Sequence, residues 1–281
     1  MKLFKKKELT RVDIIFDIVI FLIVASIVAY MVWKGVNTRN YWKEHQQSLR
    51  ASLEQTEMVL IKAVDANNPG KISKILKEND EIIKHSYSGD KYYSILHYAV
   101  NFHKDKAIEE LLKAGYNPDV QDNGSQTPLS SLFDINTIWF LSRENSHKTE
   151  NIVDLFLEYN ASTDISDYES TTPLIYSIIY LYTLDDYNFS IPKLLVEKGK
   201  CDINHLDRSG HSAVYYSFQR SIQLAHYLIV EHKADVTNDP SIPQLLQDLN
   251  NFMDSEDSEE YRLMQEIIQE MKNQGVDVTF M

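Results

Sequence analysis

The sequence predicts an all-α protein in which repeated pairs of helices stack in a row, preceded by one transmembrane helix. Two observations predict this class: a long apolar run near the start of the chain, and a motif that returns at intervals of 33, 45 and 40 residues farther along. The 281 residues, 43% of them hydrophobic and 25% charged, are enough for a proper core. The composition therefore excludes a wholly disordered chain.

The apolar run follows a basic cluster and is long enough to span a bilayer. Residues 14–33 form 20 positions in which Asp17 is the single charge. At about 1.5 Å rise per residue, such a helix spans about 30 Å, the thickness of the hydrocarbon core. Small residues do not stand at the positions that a cleavage site needs. We therefore expect a basic cytoplasmic tail over 1–11 and an uncleaved transmembrane anchor over 12–33.

The charges on either side of this segment predict its orientation. Five basic residues precede it, and Lys34 and Arg39 follow closely. This excess favours an amino terminus in the cytoplasm and the remaining chain across the membrane, which in a bacterium is the periplasm. Residues 34–55 are polar with helical spacing and predict a helical stalk. Asp17 has two interpretations: a carboxylate that reaches the interface, or a contact with a partner helix in the membrane.

The overall charge argues against nucleic acid as a partner. The formal net charge is −13, and a field of that sign repels phosphate backbones. The single cysteine, Cys201, cannot form an internal disulfide.

Beyond the stalk, a hydroxyl residue followed by apolar residues opens each copy of the repeated motif. Five residues before the hydroxyl, the last three copies carry an aspartate: Asp122, Asp167 and Asp207. An aliphatic cluster and a turn follow each copy, which predicts a second helix and its end. The four copies are SILHYA (94–99), TPLSSL (127–132), TPLIYS (172–177) and SAVYYS (212–217).

These motifs resemble the ankyrin repeat, in which an Asp-containing turn and Thr-Pro-Leu-His-x-Ala open the first of two helices. We expect the threonine or serine hydroxyl to cap that first helix. The resemblance implies an ankyrin-repeat solenoid over 56–281 with β-turn fingers, about six repeats, and insertions near 135–150 and 180–190. The sequence also departs from the family pattern. Only His97 keeps the family histidine, Gly124 is displaced by one residue, and Lys233 replaces the glycine of the turn.

No residue pattern in the sequence predicts catalysis, a cofactor or a metal. The nine histidines lack the spacing of a zinc site, and His97 is expected to be hydrogen-bonded within the repeat turns. Cys201 is expected to be a small buried hydrophobe. Tyr98, Tyr176 and Tyr216 stand where the family usually has leucine. We expect them to pack between helices, with their hydroxyls reaching the edge.

The resemblance also implies where a partner protein is bound. In this family, turn tips and the exposed side of the first helix contact the partner, although the same positions are also expected of a sequence-tolerant surface. The positions of this sequence that match the family's contact positions are Lys91, Tyr93, Asn101, Asn123, Gln126, Asp134, Tyr168, Glu169, Ile179, Arg208, His211 and Gln219.

Trp139 and Phe140 in the first insertion are a second candidate contact surface or an extension of the core.

These features together predict a non-catalytic protein-binding module tethered to the cytoplasmic membrane by an N-terminal anchor. Two more specific roles stay open. Membrane-anchored periplasmic ankyrin proteins resemble immunity proteins, which neutralise secreted antibacterial effectors such as lipases. The alternative is a structural subunit of an envelope membrane complex, in which Asp17 contacts another transmembrane helix.

Overall fold

The chain divides into two compact units, Met1–Met58 and Val59–Met281. Of the first unit, only residues 55–58 fall within the described ranges, where they begin a helix. The computed structural model describes residues 55–79, 94–133, 146–180, 189–251 and 258–278.

Along the described ranges, helices alternate between two sets. The first set is α1 (Gln55–Asp65), α3 (Ile95–Asn101), α5 (Pro128–Ser131), α7 (Pro173–Tyr180), α9 (Ala213–Phe218) and α11 (Ile242–Asn251). The second set is α2 (Pro69–Glu78), α4 (Asp105–Lys113), α6 (Ser146–Glu158), α8 (Ser190–Glu197), α10 (Ile222–His226) and α12 (Glu259–Asn273). A π-helical turn, Tyr227–Glu231, continues α10.

Members of the two sets form two layers in the second unit. Helices α3, α5, α7, α9 and α11 contact one another in that order, and α2, α4, α6 and α8 do the same beside them. The core lies between the layers, where Leu96, Leu111, Leu129, Phe156 and Leu174 are buried. Each such side chain contributes roughly 1.5–3 kcal/mol through burial. Because the described helices contact chiefly the neighbouring pair, stability comes from stacking.

The hydroxyl residues of the repeated motif begin the first helices. The side chains of Ser94, Thr127 and Ser212 each accept a hydrogen bond from the backbone N–H three residues later. Pro128 follows Thr127 at the first helical position, where no N–H partner is needed. The capping that the motif predicts is therefore present.

Several second helices are followed, within three residues of their end, by a residue with a left-handed backbone. Gly115 has φ 91°, Lys200 has φ 54° and Lys233 has φ 55°. A positive φ ends the helix and satisfies its last carbonyls, and glycine adopts it most easily. Lys233 thus occupies, with some strain, the position that glycine holds in the family.

The predicted fold class is wrong in one part, the transmembrane helix. No helix within the described ranges combines the length and apolar character needed to cross a membrane. The longest of them, α12, has 15 residues, or about 22 Å, and it carries several charges. The anchor predicted over 12–33 lies outside the described residues. Within the described ranges, the fold is an all-α stack of helix pairs.

The predicted insertions lie largely outside the described residues. The structure describes α6 from Ser146 and α8 from Ser190, near the ends of the insertions predicted over 135–150 and 180–190. The division of the chain into tail, anchor, stalk and repeat domain stays a prediction.

Candidate functional site

Three turns with the same backbone form precede α5, α7 and α9. We name them turn A (122–126), turn B (167–171) and turn C (207–211). In each turn the N–H of the first residue donates to the carbonyl of the fifth, with N···O distances of 2.9, 3.2 and 2.9 Å. The turns are therefore closed loops of equal length.

The aspartate that begins each turn fixes its backbone. The Oδ1 atom of Asp122, Asp167 and Asp207 accepts hydrogen bonds from the N–H groups two and four residues later, at 2.8–3.0 Å. This use of a short carboxylate side chain is a general way to stabilise a turn. The aspartates that recur in the sequence thus have a structural role.

The fourth residue of each turn has a left-handed backbone. It is Ser125 in turn A, Ser170 in turn B and Gly210 in turn C, with φ values of 60°, 57° and 81°. Gly124, the glycine that is displaced by one residue from the family pattern, directly precedes the left-handed position of turn A. Serine at a positive φ is less favourable than glycine.

Tyrosines on the following helices hold two of the three aspartates. The hydroxyl of Tyr176 donates to Oδ2 of Asp167, and that of Tyr216 donates to Oδ2 of Asp207, both at 2.5 Å. Burial raises the pKa of Tyr216 and the hydrogen bond to Asp207 raises it further, so the hydroxyl stays a proton donor. In turn A the ninth residue after the aspartate is Ser131, whose hydroxyl donates to the carbonyl of Pro128 instead.

A histidine of the preceding helix pair holds turn A. His97 is fully buried on α3, and its Nε2 lies 3.0 Å from the carbonyl oxygen of Gln126, while Nδ1 lies 2.8 Å from the hydroxyl of Ser94. Burial lowers the pKa of His97 to about 4, so the ring is neutral and donates from Nε2. The predicted hydrogen bonding of His97 within the repeat turns is confirmed.

Backbone hydrogen bonds join the three turns in a row. The N–H of Tyr168 donates to the carbonyl of Gly124 at 3.3 Å, and the N–H of Arg208 donates to the carbonyl of Glu169 at 2.8 Å. The side chain of Gln126 adds a link, because its Nε2 donates to the Tyr176 hydroxyl at 2.8 Å. We call this row of turns A, B and C the turn strip.

The outer side of the turn strip carries an aromatic ring and an ion pair. The side chain of Tyr168 is 65% exposed, and Val59, on α1, is the only other exposed large hydrophobic residue in the described part of the chain. The guanidinium of Arg208 lies 3.5 Å from the carboxylate of Glu169, with side chains 69% and 48% exposed. A pair this exposed contributes at most about 1 kcal/mol to stability, so both groups remain accessible to a partner.

The structure separates the predicted contact residues into three groups. Asn123, Tyr168, Glu169, Arg208 and Gln219 are exposed. Asn101, Gln126, Ile179 and His211 are half-buried. Lys91, Tyr93, Asp134, Trp139 and Phe140 lie outside the described residues.

His211 packs against the next helix pair. Its ring stacks on Tyr215 with centroids 3.7 Å apart, and Nδ1 lies 3.4 Å from the hydroxyl of Ser241. The buried carboxylate of Asp239 accepts from the backbone N–H and the hydroxyl of Ser212 at 2.9 and 3.1 Å. These groups join turn C to the start of α11, a role that the sequence analysis did not assign.

The partners of the tyrosine hydroxyls were not predicted from the sequence. Tyr176 and Tyr216 were expected to pack between helices with their hydroxyls at the edge, whereas each hydroxyl binds the aspartate nine residues earlier. That equal spacing, Asp167 to Tyr176 and Asp207 to Tyr216, was visible in the sequence.

The described residues hold no group of three or more side chains placed to ligate a metal ion. Cys201 is buried, and burial raises the pKa of its thiol to about 12. The thiol therefore stays protonated and unreactive near neutral pH.

Comparison with known proteins identifies one repeat. No curated protein matches the chain. Residues 91–123 match the family model of the ankyrin repeat, a range that includes α3, α4 and the first two residues of turn A. The match supports an ankyrin-repeat protein.

Proposed function

We propose that the chain is a non-catalytic protein-binding module that contacts its partner through the turn strip. The observation that carries this proposal is the row of three hydrogen-bonded turns that exposes Tyr168 beside the Arg208–Glu169 pair. The match to the ankyrin repeat supports the same class of function.

The chemistry of the strip suits a protein interface. Tyrosine and arginine are enriched among the residues that dominate binding energy. Tyr168 and Arg208 stand on turns whose backbones are already fixed by aspartate side chains and by neighbouring turns. A surface ordered before binding loses less conformational entropy when the partner arrives.

The test compares two exposed apolar side chains on the full chain. The partner, isolated with the wild-type protein, is titrated by calorimetry against Tyr168→Ala and against the control Val59→Ala, whose side chain is 45% exposed on α1. We expect Tyr168→Ala to weaken binding by about 10-fold or more, with an unchanged melting temperature. The control should bind like the wild type.

Variants of the first insertion provide the opposing outcome. If Tyr168→Ala binds normally while Trp139→Ala or Phe140→Ala abolishes binding without unfolding the chain, the insertion is the contact surface and the turn strip is not.

The compartment and the identity of the partner stay predictions from the sequence. The predicted compartment is the periplasm, and the predicted partner is a secreted effector, such as a lipase, that the chain would neutralise. Recovery of one soluble toxin with the purified chain would support the immunity role, whereas recovery of a set of membrane proteins would favour the envelope complex.

A further inference from the structure

The two tyrosines behind the turn strip make the same contact in two separate repeats. Tyr176 on α7 and Tyr216 on α9 each donate a short hydrogen bond to the aspartate nine residues earlier. The other oxygen of that aspartate holds the turn backbone. Each carboxylate therefore connects a turn to a helix of the stack.

This connection controls how firmly the tip of the turn is held. In turn B, Oδ1 of Asp167 accepts from the N–H groups of Glu169 and Thr171, so rotation of the carboxylate would loosen both. The tyrosine hydroxyl, held by a helix, restrains that rotation. The tip residues Tyr168 and Glu169 lie between Asp167 and Thr171, the two ends of the turn, which this carboxylate joins.

Tyr176 also links turn B to turn A. Its hydroxyl accepts a hydrogen bond from Nε2 of Gln126 while it donates to Asp167, so a single oxygen joins side chains of two turns. Hydrogen bonds in such a chain polarise and strengthen one another.

We propose that Tyr176 and Tyr216 are positioning residues of the partner-binding surface, whose hydroxyls fix turns B and C in the conformation that binds. The proposal rests on the function proposed above. Restricting the turns before binding reduces the entropy that the complex would otherwise lose. The hydroxyls thus act on affinity without contacting the partner.

Phenylalanine variants separate this role from ring packing, because phenylalanine keeps the ring and removes only the hydroxyl. The variants Tyr176→Phe and Tyr216→Phe are prepared in the full chain. Tyr227→Phe is the matched control, since the Tyr227 hydroxyl donates to the Glu197 carboxylate at 2.9 Å between the second helices. All three variants lose one bond from a tyrosine to a carboxylate, and Tyr176→Phe also loses the bond from the Gln126 side chain. Tyr216→Phe is therefore the variant that the control matches directly.

Hydrogen exchange of the turn amides reports on positioning without any partner. We expect Tyr176→Phe to accelerate exchange at Glu169 and Thr171 by about 10-fold, with no change at Ser209 and His211. Tyr216→Phe should produce the reverse pattern, and Tyr227→Phe should change neither turn.

Affinity for the isolated partner is the second readout. Loss of one hydrogen bond corresponds to about 3- to 10-fold, and Tyr176→Phe, which loses two, should lie at the upper end of that range. We expect that weakening for Tyr176→Phe and Tyr216→Phe, and none for Tyr227→Phe at a comparable melting temperature.

Two results would overturn the proposal. Unchanged exchange in both phenylalanine variants would show that the hydroxyls do not hold the turns. Accelerated exchange with unchanged affinity would show that they do not serve binding. If Tyr168→Ala weakens binding while the phenylalanine variants do not, only the positioning role fails. If Tyr168→Ala also binds normally, the turn strip is not the contact surface and the proposed function fails with it.

Discussion

Turn A and turn B share one backbone form but are attached to the helices by different groups. In both, an aspartate Oδ1 accepts the N–H groups two and four residues later. Tyr176, on the helix that follows turn B, holds its aspartate, whereas His97, on a helix of the preceding pair, holds the carbonyl of Gln126 in turn A. The shape of a turn is therefore set locally, while its attachment to the helices differs between turn A and turn B.

The largest effect that we expect is a dependence of stability on pH, which comes from the histidine that attaches turn A and distinguishes it from the tyrosine that attaches turn B. Burial lowers the pKa of folded His97 to about 4, below the 6.5 of an unperturbed histidine. Between these values the unfolded chain binds the proton and the folded chain does not, so stability is lost as the pH falls from 6.5 towards 4. The loss from this group reaches about 3 kcal/mol.

Urea unfolding of the wild type and His97→Gln at several pH values between 7 and 4.5 measures this effect. We expect the variant to be less stable at pH 7 but to lose less of its stability on acidification. Equal slopes for the two proteins would contradict the assignment to His97.

The next largest effect is the loss of stability that we expect when the aspartate of turn B or of turn A is removed. Asp167→Ala removes the acceptor of two N–H groups and of the Tyr176 hydroxyl, and Asp167 and Thr171 are both buried. We expect a loss of about 2–3 kcal/mol in the free energy of unfolding. Asp122→Ala, in the half-buried turn A, should cost about 1–2 kcal/mol. Chemical denaturation measures both, with Asp167→Asn as the control that keeps Oδ1. A larger loss for Asp122→Ala would reverse the comparison.

A smaller effect is expected at the left-handed residue of turn C. Gly210 has φ 81°, and nothing lies within 4 Å of a Cβ placed there, so Gly210→Ala tests backbone strain without a steric clash. We expect a loss of about 1 kcal/mol, visible as a lower thermal midpoint. An unchanged midpoint would mean that the turn relaxes to a negative φ.

The smallest effect is expected from the converse substitution, serine to glycine, in turns A and B. Ser125→Gly and Ser170→Gly place glycine at φ 60° and 57°. We expect a gain of a few tenths of a kcal/mol each, because relief of strain exceeds the added freedom of the unfolded chain only slightly. Differential scanning calorimetry of the double variant measures the sum. Destabilisation would show that the serine side chains have a role of their own.

The sequence predicted the parts of this fold that depend on neighbouring residues. Helix caps at Ser94, Thr127 and Ser212 follow from residue type and spacing, because a hydroxyl acts on an N–H three residues away. The hydrogen-bonded state of His97 followed from the family resemblance.

Contacts between repeats were harder to predict. The hydrogen bonds that join the Gln126 side chain to Tyr176 and the His211 ring to Ser241 depend on side-chain direction, which residue spacing does not give. Both residues were expected at the partner surface, and the structure places them half-buried. The transmembrane helix was predicted from hydropathy over 12–33, outside the described residues, and the described helices include none that crosses a membrane.

The links between neighbouring turns have a consequence for how this surface changes in evolution. The bonds from Tyr168 to Gly124 and from Arg208 to Glu169 use main-chain atoms. A mutation at 168, 169 or 208 to any residue except proline leaves these bonds available. If the turn strip is the contact surface proposed above, single substitutions at the tips change partner preference, while the register of one repeat against the next is inherited unchanged.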